Sequence, residues 1–179
     1  MKFFKTRNDL INNLSSNLII CEIGVFEGEF SEKLFKLNPK ELHLIDIFAG
    51  HFGSGDKDGL NIKTIDLNIS YNNLKQFYEK QQNVYIHKGF SNDILKNIPD
   101  SYFDFMYIDA DHTYEAVKKD LELCKIKTKT GGIIAGHDYC KQKFCGVVDA
   151  VNEFCLANNY SIDYMTEDGC PTYGIFNKK

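Results

Sequence analysis

The chain has no C-x-x-C cysteine pair, no apolar run of membrane-spanning length, no basic cluster, and no internal repeat or low-complexity tail. Each absence removes a class of protein. Its six cysteines, Cys21, Cys124, Cys140, Cys145, Cys155 and Cys170, fall partly inside apolar runs, where a thiol behaves as a small hydrophobe in a reducing compartment. Cys140 and Cys145 alone do not supply the paired ligands that zinc needs. The segment 1–14 is interrupted by Asn8, Asp9, Asn12 and Asn13 and offers no secretory core, so the expectation is a cytoplasmic protein without a membrane partner. A formal net charge of -4 with scattered basic residues argues against a nucleic-acid partner. The densest cationic stretch, 125–129, alternates with Ile126 and Thr128 and reads as a solvated helix end. With 179 residues, the expectation is one domain over 1–179, as a monomer or homodimer.

Apolar, β-rich runs occur at 18–24, 42–47, 83–87, 103–108 and 132–135, each too short for a helix. Helical spacing lies between them, in Phe30, Leu34, Phe35 and Leu37, then Leu74, Phe77 and Tyr78, then Ala116, Val117, Leu121 and Cys124. This alternation predicts βαβ units and a mostly parallel sheet. Thr113 and Ser91 read as helix caps, and residues 1–17 as an N-terminal helix. Past a helical pattern at 147–156, the runs 160–165 and 172–176 are too close for a crossover helix between them. They predict an antiparallel hairpin closing one edge of the sheet. Residues 49–60, with four glycines and three charges, read equally as a lid over a site or as an ordinary surface loop.

In open α/β sheets ligands bind at the carboxyl ends of the strands, and this chain places polar residues at every one of them. They are Glu22-Ile23-Gly24, Asp46, Gly89-Phe90-Ser91, Asp109-Ala110-Asp111-His112 and His137-Asp138-Tyr139. Gly24 permits a tight turn, and Gly28 lets the next helix approach the sheet. Asp46, about twenty residues beyond Gly24, can accept hydrogen bonds from both hydroxyls of a ribose. The turn then selects the cofactor. A nicotinamide fingerprint wants G-x-G-x-x-G, whereas here the spacing is Glu-x-Gly-x-x-x-Gly with Glu27 and Glu29 in the loop and first turn. Those carboxylates would repel a pyrophosphate and suit a phosphate-free cofactor with a cationic part, which points to S-adenosylmethionine.

Together, Glu22-Ile23-Gly24-Val25-Phe26-Glu27-Gly28, Leu44-Ile45-Asp46, Gly89-Phe90-Ser91, Tyr107 through the Asp109-Ala110-Asp111-His112 run to Tyr114, and the Gly131-Gly132 strand ending in His137-Asp138-Tyr139 resemble class I S-adenosylmethionine-dependent methyltransferases. Within them the motifs look closest to the small group related to macrolide sugar O-methyltransferases and cephalosporin hydroxylase-like proteins. The resemblance covers residues 18–176. It implies a three-layer, Rossmann-like, doubly wound α/β fold whose seven-stranded sheet has order 3-2-1-4-5-7-6 with the last strand antiparallel. It further implies that Glu22 and Gly24 line the methionine and ribose part, that Gly28 belongs to the same cofactor-binding turn, and that Asp46 holds the ribose hydroxyls. Ile47 would pack on the adenine, and Gly89, Phe90 and Ser91 would border it. Asp109 would lie beside the methionine moiety and, with Asp138, could ligate a divalent metal.

Methyl transfer requires the acceptor to be aligned behind the methyl group and relieved of a proton. The strand ends offer two ways of doing so. His112, or next His137, can act as general base, with Asp109 beside them; alternatively a metal on Asp109, His137 and Asp138 can lower the acceptor's pKa. The sugar methyltransferases carry an Asp-Asp pair where this chain has His137-Asp138, and imidazole disfavours magnesium relative to other divalent ions. His43, within a strand, and His87, at a strand end, are not candidates. The expected reaction is O-methylation of a small-molecule acceptor of sugar or phenol type. A non-catalytic cofactor-binding module and a nicotinamide or nucleotide enzyme on the same fold remain as alternatives.

Overall fold

Cys21 and Ile23 feed one hydrophobic core and Ile20 another, and Met106 and Ile108 alternate in the same way with Phe105 and Tyr107, while an irregularity between Phe103 and Phe105 turns Phe103 to the first core. Strands buried on both faces belong in the middle of a sheet covered by helices on each side. The computed structural model describes residues 1–52, 65–141 and 145–178 and has that architecture.

In chain order the elements are β1 (Lys2–Phe4), α1 (Arg7–Ile11), β2 (Ile19–Ile23), α2 (Glu29–Phe35), β3 (Glu41–Asp46), β4 (His51–Phe52), β5 (Ile65–Asp66), α3 (Leu67–Phe77), β6 (Val84–Lys88), α4 (Ser91–Leu95), β7 (Phe103–Ile108), α5 (Tyr114–Lys127), β8 (Thr128–Gly136), α6 (Val147–Asn158), β9 (Tyr164–Thr166) and β10 (Tyr173–Phe176). The main sheet runs β1-β9-β10-β8-β7-β2-β3-β6, and β4 pairs with β5 separately. β10 is antiparallel to both of its neighbours, while the other pairs of the main sheet are parallel. One core packs α4, α5 and α6 on one face, and the other packs α1, α2 and α3 on the opposite face. This is the doubly wound, Rossmann-like, three-layer fold expected.

The seven expected strands appear in the expected order, and an eighth, β1, joins the edge beside β9. Residues 1–17 therefore do not form a helix throughout. Lys2, Phe3 and Phe4 pair in parallel with Tyr164, Met165 and Thr166, and helix is confined to α1, opened by a capping box between Thr6 and Asp9. Three apolar or long side chains in a row satisfy a strand edge better than an unsupported helix end. The hairpin of β9 and β10 is present, but β1 covers the edge it was expected to close. Neither predicted cap caps with its side chain: Thr113 makes no such bond, and Phe90 rather than Ser91 occupies the cap position of α4. Of the segment 49–60, residues 53–60 lie outside the described residues. No helix among the described residues is long and apolar enough to cross a membrane.

Candidate active site

The crevice begins where β2 ends. Gly24 has φ +89, and a Cβ there would lie 2.0 Å from the Asp109 carbonyl oxygen and 2.7 Å from Ala110 Cα, so only glycine lets the loop after β2 lie against the loop after β7. Gly28, at φ +86, caps α2, and a Cβ there would meet Leu74 Cδ2 at 2.4 Å. Its missing side chain thus admits α3, whereas the sequence suggested helix-to-sheet approach. Phe26, Phe48 and Asp138 also hold positive φ, at 57, 42 and 56. Three non-glycine residues in that region, each just past a strand end, mark backbone held against its preference.

Asp46 organises the turn. Its Oδ2 accepts from the backbone N–H groups of Val25 at 2.8 Å and Phe26 at 3.0 Å, and its Oδ1 accepts from Phe48 N–H at 2.8 Å. A carboxylate has about four acceptor positions. The amides of Val25, Phe26 and Phe48 take three of them. Ile47, 42% exposed at the end of β3, and Phe90, 65% exposed past the adjacent β6, are apolar side chains left open to solvent. Ser91 faces inward instead, and its hydroxyl donates to Asp120 Oδ1 at 2.5 Å.

Glu22 is buried beneath α2, where the Ser31 hydroxyl donates to its Oε2. Burial pushes its carboxyl up to about 8, the Ser31 bond opposes this, and nearby Asp109 adds to it. Arg7 lowers it again from above. That arginine, absent from the sequence reading, donates from Nη1 to Asp109 Oδ2 at 3.3 Å while its guanidinium lies 4.7 Å from the Phe30 ring centroid. β1 runs parallel to its neighbour and, through it, to the central strands, so its exit delivers Arg7 to their carboxyl ends. Only recognition of β1 as a strand would have placed it there.

The loops after β7 and β8 bring four predicted residues together. His112 Nε2 lies 3.1 Å from Asp138 Oδ2 and 3.5 Å from Asp109 Oδ1. It is shielded from solvent and makes no well-aligned hydrogen bond to either carboxylate. His137 Nδ1 lies 3.2 Å from Asp138 Oδ2 and 4.0 Å from Asp109 Oδ1. The Asp109 carboxylate raises the His112 pKa, with burial opposing and Asp138 and Asp111 assisting. Hydrogen bonding from His137 lowers that of Asp138. Asp111 stands aside from the cluster, its Oδ1 accepting from Thr113 N–H at 2.8 Å to shape the start of α5.

One donor atom from each of Asp109, His137 and Asp138 lies within 4.8 Å of the others, a spacing that one ion can span. Two carboxylates and an imidazole fit a borderline divalent ion better than magnesium, and the Arg7 guanidinium already supplies positive charge to Asp109. His43 and His87 lie elsewhere. Their rings stack with Nδ1 and Nε2 3.1 Å apart, and His43 Nε2 reaches Glu41 at 3.2 Å. A cavity of about 360 Å³ also opens at the opposite, amino-terminal ends of the strands, between Leu14, Leu18, Lys129 and Gly132. None of the strand-end residues lines it.

A glycine turn on an acidic strand end, beside carboxylates and imidazoles at the next strand ends, was the arrangement expected of a methyltransferase, and the family model described as Methyltransferase domain matches residues 21–139. The chain belongs to that family. The matched span runs from within β2 into the loop after β8 and includes every residue of the crevice except Arg7. Among curated proteins, uncharacterized protein R132 of Acanthamoeba polyphaga mimivirus is 29% identical over 174 residues, which cover 93% of this chain and 74% of that protein. Among solved structures, the N-methyltransferase NodS from Bradyrhizobium japonicum WM9 in complex with S-adenosyl-L-homocysteine is similar with TM-score 0.65 and 15% identity, over 97% of this methyltransferase-family chain and 86% of that one. The ribosomal protein L11 methylase from Lactobacillus delbrueckii subsp. bulgaricus is similar with TM-score 0.64 and 14% identity, over 94% of this chain and 74% of that one. At such identities the likeness is one of fold.

Proposed function

We propose that this chain binds S-adenosylmethionine across the carboxyl ends of β2, β3 and β6 and transfers its methyl group to a hydroxyl of a small acceptor, of sugar or phenol type. Asp46 accepts one ribose hydroxyl, Ile47 and Phe90 flank the adenine, and Gly89 leaves room beside it. The buried Glu22 supports the turn from below. Arg7 presents a cation at the site rim, where a methionine carboxylate can pair with it. The structure of NodS with S-adenosyl-L-homocysteine lends support through the shared fold.

The observation that carries the reaction is the position of His112 Nε2 between Asp138 and Asp109. An imidazole flanked by two carboxylates takes a proton readily, because the imidazolium that forms is stabilised. With Nε2 turned to the carboxylates, the other ring nitrogen, Nδ1, can draw the proton from the acceptor hydroxyl as the oxygen attacks the methyl carbon, while the electron pair of the carbon–sulfur bond leaves with sulfur. His112→Ala should lower the turnover number by about 10² to 10⁴-fold with little change in cofactor affinity. Release of S-adenosylhomocysteine, measured by mass spectrometry against a panel of sugars and phenols, reads this directly. Unchanged turnover in the variant would exclude His112 as the base.

The convergence of Asp109, His137 and Asp138 favours a second reading, in which those residues hold a divalent ion. A bound ion would supply Lewis acidity that lowers the acceptor's pKa. Dialysis against a chelator should then abolish turnover, and manganese should restore it better than magnesium. Chelator-insensitive turnover leaves the proton with His112.

A further inference from the structure

Asp138 has a second set of neighbours. Cys140 follows it in the loop after β8, and Cys170 comes from the loop between β9 and β10, thirty residues away in sequence. Their Sγ atoms lie 3.5 Å apart, and one donor atom each from Asp138, Cys140 and Cys170 lies within 4.8 Å of the others. The Cys170 thiol is hydrogen-bonded both to Cys140 and to the Asp138 carboxylate. The two loops are held by their backbones: Cys140 N–H donates to Asp138 O at 2.7 Å, and Tyr139 N–H donates to Pro171 O at 2.9 Å. All three side chains are partly exposed, so an ion and a completing water have access.

We propose that Asp138, Cys140 and Cys170 form a cation site for a thiophilic divalent ion of the zinc class. Two thiolates at about 2.3 Å from one tetrahedral ion stand roughly 3.8 Å apart, whereas a disulfide requires about 2.05 Å. The observed separation needs only a small opening to reach the first and a large collapse to reach the second. Two sulfurs with one carboxylate select a soft or borderline ion over magnesium. As the ion enters, each thiol gives up its proton to solvent and each sulfur supplies a pair of electrons to the metal; no oxidant is consumed. Because Asp138 also touches His112 and His137, an ion here ties the β9–β10 loop to the candidate active site.

The full chain, reduced with a phosphine and stripped of metal, is titrated with cobalt and then zinc. The expected result is a thiolate-to-cobalt charge-transfer absorption in the near ultraviolet that saturates at one equivalent, is erased by zinc, and is lost in Cys140→Ser and in Cys170→Ser. It should persist in Asp109→Asn, which separates this site from the Asp109, His137 and Asp138 group whatever becomes of the catalytic reading. Circular dichroism confirms that each variant is folded. Absence of the absorption in folded wild-type protein, or its survival in both serine variants, would overturn the proposal.

Discussion

Asp46 commits three of its acceptor positions to the amides of Val25, Phe26 and Phe48. Its removal therefore acts on the turn and on the cofactor together. Asp46→Ala should weaken S-adenosylmethionine binding by about 1.5 to 3 kcal/mol and lower thermal stability as well, since buried amides lose their acceptor. Unchanged affinity in calorimetry would remove the ribose role. Glu22 makes a different kind of prediction. Its native carboxyl holds a proton up to about 8, far above the ordinary 4.5, so the native state binds more protons than the unfolded chain between those values, and stability falls as pH rises through that window. Glu22→Gln should flatten this decline in urea denaturation midpoints measured from pH 5 to pH 8. A decline as steep as in the parent protein would show that the burial of this carboxyl is not its source.

At the scale of elements, the turn after β2 is the least forgiving part of the chain. Gly24→Ala places a methyl group 2.0 Å from a backbone oxygen and 2.7 Å from a Cα, neither of which can move without shifting the loop after β7. Destabilisation of more than about 3 kcal/mol is expected, read from urea denaturation. Wild-type stability in that variant would mean the two loops are not in contact. The same turn was legible from the sequence, as were five parallel strands and the β9–β10 hairpin, because short apolar, β-rich runs and spaced glycines are local signals. β1 was not legible. Three residues cannot display a period, and their partner β9 lies more than 150 residues away, so the strand and the Arg7 it delivers emerge only with the tertiary fold. The Cys140 and Cys170 pair was hidden because the two thiols lie thirty residues apart and meet only where the loop between β9 and β10 reaches the loop after β8. Asp109, His112, His137 and Asp138 could be singled out because each lies just past a strand end, yet which nitrogen faces which carboxylate depends on loop backbones such as that of Asp138, at φ 56.

Over the whole molecule, acid sensitivity should come from the β3–β6 edge of the sheet. Burial lowers the pKa of His43 and His87 below the ordinary 6.5, and for His87 the neighbouring His43 adds to this. The unfolded chain then takes up protons first, and stability present above 6.5 is lost as pH falls through it. His112, whose pKa is raised, acts in the opposite sense, contributing stability below 6.5 that disappears at higher pH. Comparing His87→Gln with the parent isolates the first effect: its stability should fall less between pH 6.5 and pH 5. An equal fall would assign the acid sensitivity elsewhere.

The central claim is that the strand-end crevice recognises S-adenosylmethionine, a cofactor with a sulfonium and no phosphate. Titration calorimetry of the full chain with S-adenosylmethionine and, separately, with NAD tests it most directly. The predicted result is saturable one-to-one binding of S-adenosylmethionine, weakened in Asp46→Ala, with no heat from NAD. Saturable binding of NAD, or no binding of S-adenosylmethionine to folded protein, would contradict it.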